Sequence, residues 1–192
     1  NISVAKYASI VGWINNTIYA HYSAIVWGEQ NTIVYPADVH SFIGGGYNNH
    51  VEGSFSLIVW WGDNDIYTNA YPSYNAIVWW RYNNLTNTNY AFIGGGLNNV
   101  ISGSSSTYAS SILGWYRNFV SGSYSVSLWT YAYALHDNSF VWNSTGTVFS
   151  STKSGQFLIN AIGGVGIGTG ITSAMLTVNG GIKPKSWTSD PC

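Results

Sequence analysis

The chain has 192 residues, of which 6 are Lys or Arg and 7 are Asp or Glu, for a net charge of −1. A charged share of 7%, against about 25% in an ordinary soluble domain, excludes a nucleic-acid binder that works through a basic patch, while 46% hydrophobic residues oppose disorder. Glycine (22), tryptophan (10) and tyrosine (15) are abundant and helix formers scarce, which is a β composition and counts against a doubly wound α/β enzyme. No run of about 18 apolar residues offers a transmembrane helix. The start at Asn1, without an initiator Met or a leader, reads as processed or truncated.

Internal repeats organise the chain from its first residues. From Ile10 an Asn lies six residues on (Asn16) and an apolar residue eight on (Ile18). The same frame starts at Ile25 (Asn31, Ile33), Ile43 (Asn49, Val51), Ile58 (Asn64, Ile66), Ile77 (Asn83, Leu85), Ile93 (Asn99, Ile101) and Ile112 (Asn118, Val120). A degenerate eighth copy runs from Ser127 to Leu135, with Tyr133 at the Asn position. Successive anchors are 15, 18, 15, 19, 16, 19 and 15 residues apart. Short and long spacings alternate, and Phe42-Ile43-Gly44-Gly45-Gly46 returns as Phe92-Ile93-Gly94-Gly95-Gly96. Length varies only between the +8 residue and the next anchor, which places loops at one corner of a coil.

Each unit reads as strand, turn, strand. The first strand is the Ile-Val-Trp run. The turn carries Asn-Asn or Asp-Asn, residues that tolerate αL, and the second strand holds the +8 residue. A unit of this size cannot bury its own apolar face, but stacked units about 4.8 Å apart can. The expected fold is all-β: a parallel β-solenoid of eight coils over residues 1–138. A β-rich connector is expected over 139–183 and a linker-like tail over 184–192. The seven Ile anchors are expected to stack in one buried column. Asn16, Asn31, Asn49, Asn64, Asn83, Asn99 and Asn118 read as a structural asparagine ladder, with ligand binding as the alternative.

The search for chemistry returns little. His21, His40, His50 and His136 lack metalloprotease spacing. Cys192 stands alone, so no intramolecular disulfide or Cys-based zinc site follows; it reads as half of a bridge to another segment or chain. Gly44-Gly45-Gly46 and Gly163-Gly164-Val165-Gly166 lack the Lys-Ser/Thr and the helix of a phosphate loop, and tight corners account for them better. Asp63-Asn64-Asp65 offers oxygen ligands to Ca²⁺, yet Asn64 is a ladder position. Glu29, Glu52 and Asp38 are candidates for a glycosidase pair only by default. Sequons occur at Asn15, Asn84 and Asn143. No cofactor, metal or catalytic residue is assigned.

The Ser-x-Ile-x-Gly-x4-Asn-x-Ile-x-Gly grammar resembles the head repeats of trimeric autotransporter adhesins over residues 1–138, about 70% of the chain. The segment Gly166-Ile167-Gly168-Thr169 with Leu176-x-Val178-Asn179-Gly180-x-Ile182 is similar to a motif of phage tail fibres and large bacterial surface proteins. The resemblance implies a left-handed β-roll, three chains about one axis and an extracellular or cell-surface location. The sequence departs from that family in its tryptophans, where the family carries Gly or Ala. Trp60, Trp61, Trp79 and Trp80 cannot all fit inside a coil. One of each pair must leave the interior, to line a trimer seam, a filament contact or a glycan-stacking platform. The leading expectation is a non-enzymatic structural and adhesive fibre protein that partners itself, with no nucleic acid and no membrane insertion. The alternative is a receptor- or glycan-binding module of a tail fibre.

Overall fold

A computed structural model describes residues 1–3, 5–34, 40–68, 72–167, 169 and 175–178. The tail 184–192 with Cys192, Asp38, and Gly168, Asn179, Gly180 and Ile182 of the second motif lie outside the described residues. Every regular element among the described residues is a β-strand. Successive strands alternate between two sheets of 10 parallel strands each, so the chain winds as a parallel β-solenoid.

The anchor sheet contains Ser9–Ile10, Ala24–Ile25, Phe42–Ile43, Leu57–Ile58, Ala76–Ile77, Phe92–Ile93 and Ser111–Ile112, followed by Val126–Trp129, Phe140–Asn143 and Phe157–Asn160. The opposite sheet starts with Ile2–Ser3 and Thr17–Ile18 and ends with Ala132–Ala134 and Phe149–Ser150. The register pairs Ile10 with Ile25, Ile25 with Ile43, and so on through Ile112. Ile25, Ile43, Ile58, Ile77, Ile93 and Ile112 are fully buried, as are Ile18, Ile33, Val51, Ile66, Leu85, Ile101 and Val120 facing them. The buried column therefore forms as the constant offsets require. Ile10 is only half-buried, because its coil has a full neighbour on one side alone.

The structure revises four expectations. First, the parallel β-solenoid expected from the repeats, with about eight coils, forms and runs to about 9 turns. Ser127 takes the anchor position and is buried, and Val141 and Leu158 continue the column. What ends near Leu135 is the Ile-x5-Asn frame; both sheets cross 138/139 without a break. Second, the eighth coil is one residue shorter than the frame suggests. Ala132 donates its N–H to Asn118 Oδ1, and Ala134 pairs with Val120. Ala132 and Ala134, both fully buried, thus take the positions assigned to Tyr133 and Leu135. Third, in the first seven coils the anchor-sheet strand ends on the Ile, and the Val-Trp that follows belongs to the bend. Fourth, as a result, both members of each Trp pair lie outside the interior, at a corner where strand alternation does not apply.

Residues 165–167 and 176–178 form a separate two-stranded parallel pair, Val165–Ile167 with Leu176–Val178. All seven +5 residues take positive φ, including Gln30, Tyr82 and Arg117, so the coil geometry sets this bend and turn residues fill it at four positions. Asn15, Asn48, Asp63 and Asn98 all have φ between 52° and 58°, the αL region that Asn and Asp tolerate best. Of the three glycines in the first Gly run, only Gly46 needs its glycine character for conformation, at φ 101°.

Candidate functional site

Two polar ladders hold opposite corners of the coil. Asn16 through Asn118 are all essentially inaccessible to solvent. Each ladder Oδ1 accepts the backbone N–H of the next coil's Asn at 2.9–3.1 Å. Each Nδ2 donates to a carbonyl of the following coil's bend: those of Gly28, Gly46, Trp61, Trp80, Gly96, Gly114 and Trp129. Gly28, Gly46 and Trp129 also accept a backbone N–H from the preceding coil, so there the amide is a second donor, while at bends without such a bond it satisfies a carbonyl that the turn would leave unpaired. At the opposite corner a serine ladder does the same work. Ser23 Oγ accepts the N–H of Ser41, Ser41 Oγ that of Ser56, Ser110 Oγ that of Ser125 and Ser125 Oγ that of Ser139. In the coil of Ile77, Asn75 substitutes and accepts the Ala91 N–H.

Beside the serine ladder runs a stack of seven rings that sequence reading missed. Tyr7, Tyr22, His40, Phe55, Tyr74, Tyr90 and Tyr108 follow one another with centroids 5.1, 4.9, 5.3, 4.9, 5.3 and 6.3 Å apart. Six of these residues lie three positions before an anchor, so the signal was available, divided among Tyr, His and Phe. Tyr7, Tyr22, Phe55, Tyr74 and Tyr90 are held at positive φ. That backbone costs roughly 1–2 kcal/mol per residue, and each stacked pair contributes about 0.5–1.5 kcal/mol in return.

The tryptophans form a ridge on the other corner, at the second and third positions after the anchors. Trp60, Trp61 and Trp79 are 39%, 45% and 48% exposed and Trp80 is half-buried. Trp61 and Trp80 stack at 5.9 Å, and Trp80 meets Trp115 edge-on at 5.2 Å. Both Trp61 and Trp80 are at positive φ, 71° and 77°, in a column where Gly28, Gly46 and Gly96 also sit at φ 90–101°. The two Gly-Gly-Gly coils interrupt the ridge and open a notch each. The first, 430 Å³, is bounded by Trp13, Trp27, Trp60, Trp61 and Tyr47 and also by Glu29, Asp63 and Arg81. The second, also 430 Å³, is bounded by Trp79, Leu113, Trp115 and Trp129 and has no charged lining residue.

The charged candidates diverge. Arg81 Nη2 donates to Asp63 Oδ2 at 3.0 Å, His50 Nδ1 pairs with Asp65 Oδ1 at 2.8 Å, and Asn64 between the two acids is in the ladder. No group of three metal-capable side chains exists among the described residues. His21 accepts the Lys6 N–H, and His136 meets Ser151. Of the sequons, Asn143 is buried and donates to three backbone carbonyls, while Asn15 lies on an exposed turn.

Its hydrogen bond to Asp65 raises the pKa of His50 above the ordinary 6.5, against an opposing effect of burial. A raised folded-state pKa means that protonated His50 stabilises the fold fully below the unfolded value, and that this contribution is lost as pH rises through the folded pKa. Denaturant midpoints of the wild type should therefore fall between about pH 6 and pH 8, a fall that His50→Gln should lack. No known protein family matches the chain, and no curated protein matches it either.

Proposed function

We propose that the chain is a non-enzymatic structural module of an extracellular, cell-surface or phage fibre, and that it assembles with copies of itself as a homotrimer. The observation that carries this reading is the asymmetry of the two outer faces. The outward positions of the anchor sheet lie on either side of each anchor, from Ser9 and Val11 through Leu57 and Val59 to Phe157 and Ile159. None is charged, and only Ser9, Ser111, Gly44 and Gly94 lack an apolar side chain. The opposite sheet turns His50, Glu52 and Asp65 outward. Ten strands at about 4.8 Å and three residues at about 3.3 Å give the apolar face an area of roughly 475 Å² in plan. A patch of this extent is as large as the largest apolar patch of a typical monomer, which is often functional, and its uncharged continuity over ten strands supports association through this face.

A second copy is the partner whose columns share the same axial spacing, and the small net charge leaves little repulsion between copies. The adhesin and tail-fibre resemblance supports the trimer and the surface location. Val59→Glu, at the middle of the face, should convert the assembly to monomers in analytical ultracentrifugation while the β circular dichroism is retained. Glu52→Lys, on the opposite sheet, should leave the mass unchanged. A wild-type monomer at all concentrations would refute the reading.

A further inference from the structure

We infer that the notch between Trp27 and Trp60, beside Gly45 and lined by Gly46, is a binding site for a neutral oligosaccharide. Its shape comes from one local substitution. In the coils before and after, the second position past the anchor is Trp27 and Trp60, and in this coil it is Gly45. A Cβ on Gly45 would lie 2.7 Å from the Trp60 ring and 3.1 Å from Trp27 Cβ, so any side chain there would project between the two walls. The 430 Å³ space falls within the ordinary range of small-ligand clefts.

The lining combines four indoles, Trp13, Trp27, Trp60 and Trp61, with the charged side chains of Glu29, Asp63 and Arg81. A pyranose has the matching construction, with an apolar C–H face to lie on indole and a rim of hydroxyls. The charges select the sugar class. Asp63 is neutralised by Arg81 at 3.0 Å, leaving Glu29 as the unbalanced charge of the lining, which repels uronic and sialic acids and accepts from a neutral sugar's hydroxyls.

The notch also stays open in the assembly. Its lining continues past the bend through Tyr47, Asp63 and Arg81, away from the anchor-sheet face. The second notch instead reaches back to Gly94 and Leu113 on that face, where a partner copy covers it, and it has no charged group to fix hydroxyls.

The test is calorimetric titration of the assembled protein with cellohexaose, chitohexaose and mannohexaose, with choline and a hexauronate as comparators, and the mass of every sample checked by ultracentrifugation. Saturable binding of at least one neutral hexasaccharide is expected, weakened roughly tenfold or more by Trp27→Ala and abolished by Gly45→Trp, which rebuilds the ridge. Trp129→Ala, in the second notch, should leave the affinity unchanged. The proposal is overturned if no neutral hexasaccharide binds. It is equally overturned if binding survives both notch variants, or if choline binds and Glu29→Gln removes that binding. Loss of mass without loss of binding would count against self-assembly alone.

Discussion

Asn64→Leu is expected to lower the unfolding free energy by about 3–5 kcal/mol, a large share of the 5–15 kcal/mol typical of a domain. The amide makes bonds that no apolar side chain can replace. Its Oδ1 accepts both the backbone N–H and the Nδ2 of Asn83, and its Nδ2 donates to Asn49 Oδ1 and to the Trp80 carbonyl. Leucine would leave a buried N–H and a buried carbonyl without partners, each at about 1–3 kcal/mol, and would need space that the bend does not have. Asn64→Asp separates the two halves of the role. It keeps an acceptor for Asn83 but turns an oxygen toward the Trp80 carbonyl, and should be no better tolerated than leucine. Urea unfolding of the three proteins decides the matter. A loss below about 1 kcal/mol for both variants would mean that the ladder adds little.

Ile58→Ala is expected to cost about 2–5 kcal/mol by removing buried methylenes and leaving a cavity. Ile58 stacks on Ile43 and Ile77 within its own column and is fully buried. Neighbours above and below are fixed by the sheet register, so the site has little freedom to collapse. Ile10→Ala, at the half-buried end of the column, should cost clearly less. Equal losses at the two positions would show that the interior is not the close-packed column its registers describe.

The buried skeleton was legible because its signals are one-residue-type columns. Isoleucine fills a fixed space, and only asparagine can both cap a bend carbonyl and hand an acceptor to the next coil, so identity repeats wherever geometry repeats. The ninth coil escaped because packing accepts substitutes. Val141 and Leu158 take the column positions there without matching the Ile-x5-Asn frame, and in the eighth coil, read from Ser127, Ala132 and Ala134 fill a turn one residue shorter than the frame. The aromatic stack escaped for a related reason. Stacking asks only for a flat ring, so His40 and Phe55 serve among tyrosines and no letter recurs. The tryptophans were misread because strand alternation was applied to Trp60-Trp61 and Trp79-Trp80, while the strands Leu57–Ile58 and Ala76–Ile77 end two residues earlier. The notches could not be read before the coils were stacked, since each is a difference between neighbouring coils.

In parallel sheets whose strands lie across the rod, every inter-strand hydrogen bond points along it. A pull on the two ends loads these bonds one coil after another rather than all together, so the rod peels in steps. Each released coil of about 16 residues yields roughly 50 Å of slack in exchange for 4.8 Å of rod. Bending, by contrast, must stretch one side of the rod while compressing the other. The same geometry thus makes an object that is stiff when held at a distance from a surface and extensible when dragged, dissipating energy coil by coil and restoring itself by re-zipping onto the coils that remain.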